Sequence, residues 1–306
     1  MASGMVKAAE RAGAIGATAL QIFTDNPTAW RRRAAPLPEL EAFRERVASL
    51  GLEPLAIHAS YLINLAGTDP ELRERSMALL TDELRVAPSF GARFVNVHIG
   101  SHRGTSAEEG TARLADAVAG ILDTTDDGPA AAILVLENSA GSGDGLGTDI
   151  PELAAIAEAI AARGIPDGRV GFCLDVAHAW SAGTDLGTVA GVDAFIAAFD
   201  ARIGIGRLAM VHLNDSRSEL GSRIDRHEHL GAGRVGPAGL RRILTHPALA
   251  DVTYYLETPG MDQGYDAVNL QRAWDVAAGR PLEALPPEAM DLPSDRSGPP
   301  EAAVGA

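Results

Sequence analysis

Several short apolar segments of this 306-residue chain end in a histidine or an acidic residue. These residues are His58, His98, Glu137, Asp175, His178, His212 and Glu257. A carboxylate buried without a partner is costly, so it pairs with a base, takes up a proton or binds a metal ion. One such histidine alone would more often be a hydrogen-bonded core residue, and one such glutamate could equally form an ion pair. Because the pattern recurs and bases are scarce in these segments, it predicts a metal site.

The loop that follows His212, HLNDSRSELGSRIDRHEHLGAG, carries further potential ligands. Asp225 and His227 can place a carboxylate and an imidazole on one cation, and His178 can supply a third ligand. We expect His229 to support a ligand rather than to bind the metal itself. The two remaining histidines, at positions 102 and 246, are expected to be ordinary surface residues.

The candidate ligands offer nitrogen and oxygen donors and no thiolate, a set that suits Zn²⁺ or Mn²⁺. Nine ligands exceed the capacity of one cation, whereas three cations that share a bridging carboxylate would use the whole set. Such clusters suit phosphodiester hydrolysis, since the cations activate a hydroxide and offset the charge of the phosphate.

The elements that must position these residues follow from the alternation of apolar and amphipathic segments. Strands are predicted at 19–23, 54–59, 93–99, 131–138, 170–178, 207–215 and 253–258. Helices are predicted near 4–13, 37–50, 70–88, 106–122, 150–163, 190–203, 237–245 and 265–279. Apolar strands separated by helices predict an α/β fold with a parallel sheet covered on both faces. Active sites of such barrels lie at the carboxyl ends of the strands, where the candidate ligands occur.

The number of repeats favours a TIM (β/α)8-type barrel over a doubly wound sheet. The doubly wound alternative lacks a Gly-x-Gly-x-x-Gly after its first strand. The strands fall one short of eight and the chain opens on a helix, so the first strand of the barrel is predicted to be missing. Our hypothesis is a wrongly chosen start codon, which predicts an in-frame segment with the pattern of a strand just upstream.

Composition and charge restrict the remaining possibilities. The chain is 46% hydrophobic, which predicts one barrel domain over residues 1–280, and the Pro-rich segment 281–306 is predicted to be a disordered tail. The net charge of −15 argues against broad, non-specific affinity for nucleic acids but leaves room for a local basic site. Lys7 is the only lysine, which argues against Schiff-base chemistry.

The cellular location is predicted from what the sequence lacks. Cys173 is the only cysteine, so an intrachain disulfide is excluded and a reducing compartment is favoured. The amino terminus has the pattern of a charged helix rather than of a signal peptide. No apolar run approaches the roughly 18 residues of a membrane span. We therefore expect a cytoplasmic protein with no membrane partner.

Six motifs in this order resemble those of the endonuclease IV family of zinc-dependent apurinic/apyrimidinic endonucleases (AP endonuclease family 2). They are HASYLINLA, NVHIGSH, LENSAGSG, GFCLDVAHAWSAGTDL, HLNDSRSELGSRIDRHEHLGAG and LETP, and the resemblance runs from about residue 4 to about residue 279. It implies three zinc ions per chain, with Mn²⁺ as an alternative at some positions. The first would be held by His58, His98 and Glu137, the second by Glu137, Asp175, His212 and Glu257, and the third by His178, Asp225 and His227.

The resemblance also implies a reaction. The family hydrolyses the phosphodiester 5′ to abasic sites in double-stranded DNA, leaving a 3′-hydroxyl and a 5′-deoxyribose phosphate, and it trims blocked 3′ ends. A hydroxide activated by the three zinc ions would attack, and Glu137 and Glu257 would be the catalytic residues. We expect a monomer.

Contacts with DNA are expected from two segments. Tyr61 and Leu62 match the pair that enters the DNA at the lesion, although on sequence alone they are a hydrophobic pair after a strand. In the loop NPTAWRRR the family often has an arginine where this chain has Thr28. Arg31 is therefore our candidate for phosphate contact, the alternative being a solvated basic face.

Two other functions remain open. A metal-dependent sugar isomerase or epimerase on the same barrel would use one or two metals and would not need Asp225, His227 or His178 as a third site. A catalytically impaired DNA-lesion binder would bind damaged DNA without cutting it, because the first strand is missing.

Overall fold

The structure, a computed structural model, describes residues 4–30, 38–125 and 128–292. Its centre is a parallel sheet whose strands are hydrogen-bonded in chain order. The strands are β1 (Leu20–Ile22), β2 (Leu55–His58), β3 (Ala92–His98), β4 (Ile133–Glu137), β5 (Val170–Asp175), β6 (Leu208–Leu213) and β9 (Thr253–Leu256). Between β6 and β9, the short strands β7 (Asp215–Ser216) and β8 (His227–Glu228) form a separate antiparallel pair. This is a seven-stranded TIM barrel, as the sequence predicts, and within the described residues β1 and β9 do not pair with each other.

Helices surround the sheet and alternate with its strands. They are α1 (Met5–Ala14), α2 (Leu40–Leu50), α3 (Pro70–Phe90), α4 (Ala107–Leu122), α5 (Ile150–Ala161), α6 (Val176–Ala182), α7 (Val189–Arg202), α8 (Gly236–Thr245), α9 (Tyr265–Ala278) and α10 (Pro287–Met290). Polar residues set several of the helix starts. Asp69 accepts hydrogen bonds from the first backbone amides of α3, and Ser106 forms a capping box with Glu109 at α4. No helix in the described ranges is both long and apolar enough to span a membrane.

The barrel interior contains a small apolar cluster that lies directly below the candidate ligands. It consists of Ala56, Phe94, Val135, Cys173, Met210 and Tyr255, one residue from each of β2 to β6 and β9. Successive side chains of a strand point to opposite faces, so a residue two positions further on also points inward. That rule places the side chains of His58, Asn96, Glu137, Asp175, His212 and Glu257 on the inner side at the next layer. The apolar layer therefore forms the floor of the site.

Two predictions about the chain are corrected. The strand predicted over 170–178 ends at Asp175, and the next residues form α6, so His178 lies in the first turn of a helix. The reason is local, because the Asp175 side chain accepts a hydrogen bond from the backbone amide of His178 and caps the helix. In the segment predicted to be a disordered tail, residues 281–292 lie against the barrel, with Leu282 on the core and Ala289 fully buried.

Candidate metal centre

The carboxylate of Glu137 is the centre of the site, fully buried at the end of β4. His58 Nε2 lies 3.5 Å from Glu137 Oε2, and His98 Nε2 lies 3.7 Å from Glu137 Oε1. One ligand atom from each of these residues lies within 4.8 Å of the others, which is a separation that one cation can span. The first predicted group is therefore assembled by the ends of three neighbouring strands.

A second group shares Glu137. His212 Nδ1 lies 3.3 Å from Glu137 Oε1 and 3.8 Å from Asp175 Oδ2, and its Nε2 lies 3.4 Å from Glu257 Oε1. The four residues again offer ligand atoms within 4.8 Å of one another. Glu137 thus belongs to both groups, with His58 near its Oε2 and both His98 and His212 near its Oε1.

The third group is assembled by a helix and a loop. The two oxygens of Asp225 each approach one imidazole, with His178 Nε2 at 3.2 Å and His227 Nε2 at 3.2 Å. Asp175 lies 3.7 Å from His227 Nε2, and Asp175, His178 and His227 offer ligand atoms within 4.8 Å of one another. The side chains of Asp225, Glu257 and His98 retain 18%, 18% and 26% exposure, so they line the opening to solvent, while the other candidate ligands are buried.

The histidines are oriented by hydrogen bonds at one ring nitrogen, although that nitrogen in His178 also lies 3.2 Å from Glu137 Oε1. In His58, His178 and His227 the Nδ1 atom contacts a backbone carbonyl at 2.8, 2.9 and 2.8 Å, on Ala59, Asn138 and Glu257 respectively. In His212 it is Nε2 that contacts the side-chain oxygen of Gln21, at 3.0 Å. When one ring nitrogen of a neutral histidine donates its N–H, the other nitrogen has a lone pair available for a metal, which is the usual arrangement of a metal-ligating histidine.

Side-chain amides support the carboxylates, and these residues were not predicted from the sequence. Asn96 donates to Glu137 Oε2 at 2.5 Å, Asn214 donates to Asp175 Oδ2 at 2.8 Å, and Gln21 donates to Glu257 Oε1 at 2.7 Å. Asn96 and Gln21 interrupt apolar strands, and that interruption is the signal that could have identified them.

Burial and mutual proximity shift the protonation of the cluster. Burial lowers the pKa of His98 to about 4, against the opposing effect of Glu137. Burial disfavours the charge of Glu137, but His212 and His98 outweigh it and hold the pKa of this carboxyl well below its usual range. For His227, burial is outweighed by Asp225 and Asp175, which raise the pKa to about 9. Glu137 is therefore a carboxylate at neutral pH. A metal that binds to the third group, which contains His227, would have to displace protons.

Divalent cations fit this donor set. His98 Nε2, Glu137 Oε1 and His212 Nδ1 are buried atoms that lack a hydrogen-bond partner within the part of the chain that the structure describes. A buried polar atom without a partner costs free energy, and a cation at the shared centre would satisfy all three. The donors are imidazole nitrogens and carboxylate oxygens, which suits zinc.

Of the three residues predicted to contact DNA, the structure describes Tyr61 and Leu62. Tyr61 lies half-buried at the rim, and its ring centroid is 5.3 Å from that of His58 and 5.8 Å from that of His98. Leu62 follows it and is also half-buried. Arg31 lies outside the described residues.

The remaining histidines are separate from the centre. His229 is buried, and its Nδ1 and Nε2 contact Asn269 and Ala289, so its ring nitrogens are not directed at the cation groups; that it supports a metal ligand stays a prediction. Both nitrogens are already engaged on the far side of the loop. His246 Nδ1 accepts a hydrogen bond from the backbone of Ala248 at the end of α8.

The fold and the donor set define a metal-binding barrel, and comparison with known proteins gives its family. Residues 9–281 match the family model described as xylose isomerase-like TIM barrel. A probable endonuclease 4 from Halorhodospira halophila is 42% identical over 268 residues, which cover 86% of this chain and 87% of that protein. The crystal structure of endonuclease IV from Thermus thermophilus superposes with a TM-score of 0.77 at 37% identity, covering 90% of this chain and 95% of that one. The chain belongs to the endonuclease IV family of enzymes, as the sequence motifs predict.

A more distant likeness concerns the fold alone. D-psicose 3-epimerase from Clostridium cellulolyticum has a TM-score of 0.61 at 15% identity, covering 92% of this chain and 95% of that one. The barrel is therefore shared with sugar epimerases, and only the site can distinguish the two functions.

Proposed function

We propose that this protein is a DNA-repair endonuclease that hydrolyses the phosphodiester 5′ to abasic sites in double-stranded DNA and trims blocked 3′ ends. The products would be a 3′-hydroxyl and a 5′-deoxyribose phosphate. The observation that carries the proposal is the third ligand group, in which His178 and His227 lie near both Asp225 and Asp175, beside the two groups that share Glu137. Its relatives named endonuclease 4 support the same activity.

Three zinc ions would occupy the three groups, with Glu137 bridging the first two. When bound, the cations would act as Lewis acids that lower the pKa of water and offset the charge of the phosphate. The chain itself contributes orientation. Asn96 fixes one oxygen of Glu137, and Gln21 joins His212 to Glu257, so the carboxylates are held in place before substrate arrives.

The opening of the site accounts for how a phosphodiester could enter. Glu257, Asp225 and His98 are the partly exposed ligands, and Tyr61 lies beside His98 at the same rim. We assign Tyr61 and Leu62 to the lesion, where an aromatic ring and an apolar side chain would occupy the space left by an extruded nucleotide. Glu257, at the opening and beside His212, is assigned as a catalytic residue with Glu137.

The overall charge of −15 requires that affinity for DNA arise locally. The loop after β6 that carries Asp225 also carries Arg223 and Arg226 on either side of it, whereas Arg217 and Arg234 of the same loop pair with Glu228 and Glu219. Arginines placed next to the ligands can contact phosphates on either side of the scissile bond. Binding should therefore weaken steeply as the salt concentration rises.

A sugar isomerase or epimerase is the second candidate, and the shared barrel is its only support. An isomerase or epimerase of this kind would need only one or two cations. It would therefore give no role to the group formed by Asp225, His178 and His227. The third candidate, a lesion-binding protein without catalysis, differs from the proposal only in the outcome of an incision assay.

The test is incision of a duplex that carries one tetrahydrofuran abasic analogue, combined with metal analysis of the same preparation. We expect a single cut 5′ to the analogue, its loss with a chelator, its recovery with zinc, and about three zinc per chain. An undamaged duplex of the same sequence is the control. Binding without incision would show a lesion binder, and about one metal per chain without incision would favour the isomerase.

A further inference from the structure

Residues 281–292 form a segment, here called the terminal strap, that lies against the two loops carrying three of the candidate ligands. The first loop, residues 217–233, contains Asp225 and His227, and the second follows β9 and begins with Glu257. The strap comes after the last helix of the barrel, and its contacts with these loops are made by backbone carbonyls and leucine side chains.

Three hydrogen bonds join the strap to the ligand loop and its support. Arg217 donates from its guanidinium to the carbonyl of Leu292 at 2.7 Å. Arg272 of α9 donates to the carbonyl of Leu230 at 2.6 Å and to that of Glu283 at 2.7 Å, so one buried side chain holds both segments. These charge-assisted hydrogen bonds are stronger than neutral ones and fix the strap relative to the loop.

The third hydrogen bond is made by His229, which lies two residues after the candidate metal ligand His227. His229 Nε2 contacts the carbonyl of Ala289 at 3.1 Å, and its Nδ1 contacts the amide nitrogen of Asn269 at 2.8 Å. The ring is fully buried, with Tyr265 packed against it at a centroid distance of 5.2 Å. Since His227 is only two residues earlier, an anchored His229 fixes the backbone from which His227 projects.

Glycines allow the strap to approach both loops closely. A Cβ atom built on Gly231 would lie 2.4 Å from Leu282 Cδ1, and one built on Gly260 would lie 2.5 Å from Leu292 Cδ1. Both glycines also have positive φ angles, of 72° and 76°, which other residues rarely adopt. Leu282 and Leu292 therefore occupy space that any other residue at these two positions would fill.

We infer that the terminal strap is a positioning element for the third cation site, one that keeps Asp225 and His227 in place to complete it. The inference rests on the proposed three-metal function. The ligand loop has little regular structure of its own besides the pairing of β7 with β8, so external anchors determine where its ligands lie. The strap provides anchors at three places along this loop, Arg217, His229 and Gly231.

The test compares two neighbouring substitutions in the full-length chain. Ala289→Arg places a long charged side chain at a fully buried position, whereas Met290→Arg, at 40% exposure, adds the same charge at the surface. We expect Met290→Arg to bind three zinc with parental affinity. We expect Ala289→Arg to retain two, to need roughly 10–100-fold more free zinc for the third, and to regain incision when zinc is added.

Limited digestion with trypsin gives a readout that does not depend on zinc. Arg223 and Arg226 flank Asp225 in the ligand loop, and we expect faster cleavage there in Ala289→Arg than in Met290→Arg. If Ala289→Arg fails to fold, a chain ending at Arg280 is compared with one ending at Leu292. Unchanged zinc affinity together with unchanged cleavage would overturn the inference. A parent chain that binds fewer than three zinc would contradict the proposed function, while the cleavage comparison would still decide whether the strap holds the loop.

Discussion

The two sides of the metal centre are built in different ways. On one side, His58, Glu137 and Asp175 end strands whose positions are fixed by the hydrogen bonds of the sheet and by the apolar layer below them. On the other side, Asp225 lies in an irregular loop and His227 in a strand of two residues. Strand-borne ligands are placed by the fold itself, whereas loop-borne ligands depend on added contacts.

Those added contacts come from several directions. Asp215 is buried and accepts hydrogen bonds from the backbone amides of Gly231, Gly233 and Val235, which closes the loop on itself. Ser181 of α6 donates to the carbonyl of Ile224, next to Asp225. Asp215 and Glu137 are thus both fully buried carboxylates with different roles, since one satisfies backbone amides and the other faces imidazoles. The loop side should therefore be the side that is easier to disturb.

The largest effect is expected from Glu137→Ala, because this residue belongs to both strand-borne groups. In the proposed arrangement this substitution would remove a ligand from two cations at once. We expect incision to fall by more than the ~10²–10³-fold that the loss of one stabilising hydrogen-bond donor costs. Steady-state incision and zinc content measure the change. Full activity in the variant would refute the bridging role.

A smaller and more selective effect is expected from Asp225→Ala. This substitution removes the carboxylate that lies between His178 and His227 but leaves the groups around Glu137 intact. We expect zinc content to fall from three to two per chain, with incision reduced and thermal unfolding nearly unchanged. Glu219→Ala, an exposed acidic residue in the same loop, is the matched control. Loss of all the zinc in Asp225→Ala would mean that the two sides are not separable.

The same contrast explains what could be predicted from the sequence. The position of the candidate ligands at strand ends was predicted correctly, since a polar residue at the end of an apolar segment is a local signal, whereas their binding of metal stays a prediction. The start of α6 at Val176 was missed because the apolar run VGFCLDVAH continues through the Asp175 cap. The packing of residues 281–292 against the barrel was not predicted either. A Pro-rich composition gives no indication that Ala289 or Leu282 packs against a distant loop.

The smallest effect is expected from Asn96→Leu on the strand side. Asn96 donates to Glu137 Oε2, and leucine is close to asparagine in size but cannot donate, so Glu137 loses an orienting partner and remains a ligand. We expect zinc affinity or incision to weaken by roughly 10–100-fold, as for other supporting residues of metal sites. Val97→Ala is the control, because Val97 is equally buried but faces the helices, so it should lower the free energy of unfolding without changing zinc affinity. Titration of the metal-free proteins with zinc separates the two. If Asn96→Leu bound zinc as tightly as the parent, sheet geometry alone would suffice to orient Glu137, and the strand side would need no support beyond the fold.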